Sequence, residues 1–80
     1  MHVAVEMSLY PLADDFIPLI QDFIERINRY EGLQVLTNSM STQVSGEYPA
    51  VMAALQAEMA VTFAGPQRAV FVMKVLGGGE

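Results

Sequence analysis

The 80-residue chain has no cysteine. Disulfides, thiol catalysis and zinc–thiolate sites are thereby excluded, and a reducing compartment suits it. Histidine occurs once, at His2, so no pair of imidazoles is available to a metal. Lysine and arginine total four against nine acids, for a net charge of −5. Arg26, Arg29, Arg68 and Lys74 form no run. Nucleic-acid binding starts from a basic footprint, and that is missing. No apolar stretch approaches the roughly 20 residues of a membrane span. The opening "MHVAVEMSLYPL" has no basic region and carries Glu6, so it does not read as a signal peptide. A cytoplasmic protein that engages neither nucleic acid nor membrane is expected.

Apolar residues make up 52% of the chain and charged residues 16%. That is too apolar for disorder and rather apolar for a small monomer, which must expose much of its surface. Part of this apolar surface is expected to be buried between copies, in a homodimer or homotetramer. Eighty residues support one core, placed at 1–76, with "GGGE" at 77–80 as a flexible tail.

Residues 2–10, "HVAVEMSLY", alternate as a strand, with Val3, Val5, Met7 and Leu9 on one side. The other side carries Ala4, Glu6, Ser8 and Tyr10. Residues 15–31 read as a helix capped by Asp14 or Asp15 and closed by Gly32. Its apolar stripe is Phe16, Ile20, Phe23, Ile27 and Tyr30, widened by Ile17 and Ile24, with Asp22, Glu25, Arg26 and Arg29 on the wet side. Two strands follow, 33–37 and 40–46, joined at Asn38-Ser39. A second helix spans 47–63, capped by Ser45 or Gly46, and a last strand spans 68–76. The order β-α-β-β-α-β predicts an α+β, ferredoxin-like sandwich: a four-stranded antiparallel sheet with two helices on one face. Strands one and three are then central and adjacent.

The uncovered sheet face would be polar at its centre and apolar at its edge. Glu6 is pivotal there. A desolvated carboxylate needs a cation or several donors. Lys74 on the adjacent fourth strand is one partner; a ligand's amino group is another, with Ser8, Tyr10, Ser41, Thr42 and Gln43 as companion donors and acceptors. The chain contains no nucleophile–base pair, phosphate loop or metal motif, so neither catalysis nor a cofactor is expected.

Two stretches, "MSLYPLADDFIPLIQDFI" and "STQVSGEYPAVMAAL", resemble the thiamine/hydroxymethylpyrimidine-binding family, the YkoF-like proteins and their single-domain relatives. The resemblance rests on Tyr10-Pro11-Leu12 at the end of the first strand and on Ser41-Thr42-Gln43-Val44-Ser45-Gly46-Glu47 before the second helix. It implies an oligomeric ferredoxin-like domain that binds thiamine, or its pyrimidine precursor, without transforming it. The matching motifs place ligand contacts at Ser8, Tyr10, Ser41 and Thr42; Glu6 and Gln43 join them on the physical argument alone. The alternative is an oligomeric interaction or regulatory module with no vitamin ligand.

Overall fold

The computed structural model describes residues 1–79. Six elements follow in order: β1 (His2–Pro11), α1 (Ile17–Asn28), β2 (Gln34–Thr37), β3 (Thr42–Glu47), α2 (Tyr48–Phe63) and β4 (Ala69–Gly77). The strands form one sheet in the order β2-β3-β1-β4, with every neighbouring pair antiparallel. This is the expected ferredoxin-like α+β fold, with β1 and β3 at the centre. Strand β4 takes in Gly77, the first residue of the expected tail, and Glu80 lies outside the described residues.

The alternation of β1 sets the core. Val3, Val5 and Met7 are buried against the helices, together with Val44 of β3. Phe23 and Ile27 come from α1, and Val51, Ala54 and Leu55 from α2. On β4 the helix side carries Phe71 and Met73, packed on this cluster, so Val70 and Val72 face the open side. Phe71 sits between Phe23 and Phe63, with ring centroids 5.1 and 5.5 Å away.

Both helices depart from the expected capping. Phe16, not Asp14 or Asp15, occupies the N-cap of α1, and Glu47 occupies that of α2; neither side chain caps its helix. Pro18 and Pro49 fall in the first turns, where the missing N–H costs no intrahelical bond. Helix α1 closes at Arg29, so Gly32 is not its C′ residue; at φ +82° it serves the turn into β2. Gly46 is needed for close approach. A methyl there would stand 2.9 Å from Leu33 Cδ2 and 3.2 Å from the Gly32 carbonyl oxygen.

Arg26 is not on the wet side. Its guanidinium lies between the helices with only 12% of the side chain exposed. Nη1 pairs with Glu58 Oε1 at 3.2 Å, Nη2 donates to Thr62 Oγ1 at 2.8 Å, and Nε faces Asp22 Oδ2 at 3.3 Å. Tyr30 donates its hydroxyl proton to Glu58 Oε2 at 2.6 Å. That bond raises the Tyr30 pKa, with desolvation and the Glu58 charge adding to it and Arg26 opposing.

Candidate functional site

The cleft arises from a mismatch of strand lengths. The β1–β3 ladder stops at Met7↔Thr42, whereas the β1–β4 ladder continues to Pro11↔Ala69. Beyond Met7, among the described residues, the β3-facing edge of β1 therefore has no strand beside it. The β2–β3 turn stands off to that side, held tight by its own chemistry. Asn38 Oδ1 accepts from the Met40 and Ser41 N–H groups at 2.7 and 3.0 Å, and the Asn38 N–H donates to the Ser41 carbonyl at 3.0 Å. This is the local side-chain-to-backbone pattern that asparagine favours in turns.

A cleft of about 420 Å³ lies between this turn, the end of β1 and the first two turns of α1. Its wall on the helix side is Phe16, Ile20, Phe23 and Ile24. Of these only Phe23 is buried, because the sheet beneath the start of α1 is incomplete. The polar lining is Ser8, Thr37, Asn38, Ser39, Ser41 and Thr42, with Tyr10 at one end. Ser8 Oγ donates to the Met40 carbonyl at 3.3 Å, and the Thr37 and Thr42 hydroxyls lie 3.2 Å apart. Apolar walls with a few convergent polar groups are the usual make-up of a small-molecule site.

Four of the six expected site residues meet here: Ser8, Tyr10, Ser41 and Thr42. Thr42 is buried on the helix side of β3. Glu6 and Gln43 face each other across β1 and β3 and do not line the cleft. The Glu6 carboxylate has partners within the chain: Lys74 Nζ lies 3.2 Å from Oε1, and Ser41 Oγ donates to Oε2 at 3.3 Å. With Lys74 83% exposed, this pair is a surface contact worth about 0–1 kcal/mol.

Sequence reasoning missed the contributions of Thr37, Asn38 and α1. The stripe of α1 reads as core from its periodicity. Its excess width, through Ile17 and Ile24, was the available signal that part of it faces something other than the sheet. Among the described residues, no group of three or more His, Cys, Asp or Glu side chains is arranged to hold a metal, and no helix is long and apolar enough to cross a membrane.

The sequence model of a family described as thiamine-binding protein matches residues 5–76. Among solved structures, a hypothetical protein of Methanocaldococcus jannaschii superposes with a TM-score of 0.84 at 23% identity, over 99% of this chain and 82% of its own. A Thermotoga maritima protein provisionally assigned to thiamine biosynthesis/salvage gives 0.80 at 23% identity, over 94% and 82%. A Streptococcus pneumoniae protein gives 0.87 at 18% identity, over 98% and 88%. At such identities these likenesses carry the fold. No curated protein matches the chain.

Proposed function

Because the chain belongs to the thiamine-binding protein family, we propose that it binds thiamine or its hydroxymethylpyrimidine precursor without transforming it, and that it does so as a homo-oligomer. The observation that carries the reading is the cleft itself. It sets hydroxyl and amide groups of Ser8, Thr37, Asn38, Ser41 and Thr42 opposite the aromatic and aliphatic wall of α1. An aminopyrimidine offers an exocyclic NH₂ and ring-nitrogen acceptors, which such groups satisfy. Tyr10 and Phe16, both exposed, supply aromatic faces for a flat ring, and for thiamine a cation–π contact of about 0.5–2 kcal/mol with the thiazolium. Glu6 and Gln43 lie on the open sheet face beside this cleft, and Glu6 reaches it only through its hydrogen bond from Ser41.

The open face is what supports the proposed assembly. Tyr10, Leu36, Val70, Val72 and Leu76 are exposed, alongside the Glu6–Lys74 pair. The chain exposes 5429 Å², against about 4800 Å² for a typical monomer of this mass. A second copy laid on this face would cover the excess.

Calorimetric titration with thiamine and with hydroxymethylpyrimidine tests the ligand. Saturable heat is expected, and removing the Ser41 hydroxyl (Ser41→Ala) should weaken binding by about three- to tenfold. A folded protein that gives no heat and no thermal shift at millimolar ligand would exclude the reading.

A further inference from the structure

We infer that the cleft selects the unphosphorylated form of its ligand, accepting a neutral pyrimidine or a cationic thiazolium and rejecting phosphate esters of either. The inference rests on the proposal that this cleft is the thiamine site. Its basis is electrostatic. Among the described residues, none that lines the cleft has an acidic or basic side chain. A phosphate brought there would lose hydration and gain no counter-charge, which is the costly case for a buried anion.

The basic side chains do not line the cleft. Arg26 is held between the helices by Glu58, Asp22 and Thr62. Lys74 pairs with Glu6, and it is the Glu6 carboxylate, not the ammonium, that meets the cleft-lining Ser41 hydroxyl. Arg29 is the C-cap of α1, at the opposite end of the helix from Phe16 and Ile20. Arg68 lines a separate small pocket with Phe63, Pro66 and Gln67.

The positive end of the α1 dipole does reach the rim, at Phe16. Such ends attract anions. Here, however, Pro18 removes one of the first-turn donors, and Asp14 and Asp15 come immediately before the helix. Those two acids line a neighbouring cleft that shares Pro11 with this one. A phosphate tail leaving past Pro11 would therefore meet negative charge. The chain's net charge of −5 acts in the same direction at longer range. A thiazolium cation gains from the two acids beyond Pro11 and from the net negative charge, and its diffuse charge loses less hydration than a phosphate does.

The test is a titration series with thiamine, thiamine monophosphate and thiamine diphosphate at low ionic strength. The buffer is free of divalent ions, which would mask the phosphates. Affinity should fall along the series, with the diphosphate at least about tenfold weaker than thiamine. A second arm places a cation at the rim. Ser39→Lys in the exposed β2–β3 turn should raise diphosphate affinity by about three- to tenfold and lower that of thiamine. Equal or tighter binding of the diphosphate by the unmodified protein overturns the inference while leaving the cleft a ligand site. Failure of Ser39→Lys to narrow the gap shows that charge is not the discriminator and overturns it equally. If no compound in the series binds, the ligand reading falls, and this inference falls with it.

Discussion

Arg26 shows how far a single side chain can depart from its sequence reading. Helical spacing puts it beside Asp22, Glu25 and Arg29, among residues that look solvated. In the folded chain it is the hub of an interhelical network, and its Cζ also sits 5.7 Å from the Phe23 ring centroid. Phe23 in turn lines the cleft. The main partner of Arg26, Glu58, has a side chain that is only 14% exposed. Removing one member of a pair this buried leaves the other without compensation, so Glu58→Ala should destabilise the chain by about 3 kcal/mol in urea unfolding. The same network carries a pH dependence. Tyr30 donates to Glu58 as a neutral phenol, and its pKa is raised in the fold. A raised phenol contributes stability fully below its unfolded value, near pH 10, and loses it as pH climbs through the folded value. Thermal midpoints should therefore drop above about pH 10, and Tyr30→Phe should flatten that drop. An identical alkaline profile in the variant would remove Tyr30 from the account.

At the scale of elements, the alternation of β1 and the periodicity of α1 point to the right structures, because each records a face meeting a core. The ends were less legible. Asp14 and Asp15 look like caps, yet α1 begins at Ile17 behind Phe16. An acid beside an apolar run is a local signal, while the start of this helix depends on where the chain must turn after β1. Gly46 looked like a cap as well. Its place is inside β3, where Leu33 and the Gly32 carbonyl leave no room for a Cβ. Gly46→Ala should cost about 1–3 kcal/mol through that overpacking, measured by chemical denaturation. A neutral result would show that the turn before β2 moves aside freely.

For the whole molecule, the decisive feature is a sandwich covered on one side. The helices bury Val5, Val44 and Leu55 to within 1% exposure, while the other sheet face leaves Val70, Val72 and Leu76 in water. The proposed assembly makes a direct prediction. Light scattering should give a mass at a multiple of 8.8 kDa for the unmodified chain. Val72→Glu, which adds a carboxylate to the face that holds Glu6, should reduce it to the monomer without unfolding it. A monomeric unmodified chain would rule out the assembly.

The sequence by itself determined the element order, the faces of β1 and the polar character of residues 41–43. It could do so because these are local properties, written in periods of two and 3.6 residues and in the chemistry of turns. Only the tertiary structure decided which polar residues share a cavity. Ser8 and Thr42 belong to different strands and, by alternation, to opposite faces, yet both border one cleft because the β1–β3 ladder stops at Met7. Glu6 and Ser41, 35 residues apart, are joined by a hydrogen bond that no local pattern encodes. Register and strand length are set by the pairing of distant segments, and here they create the site.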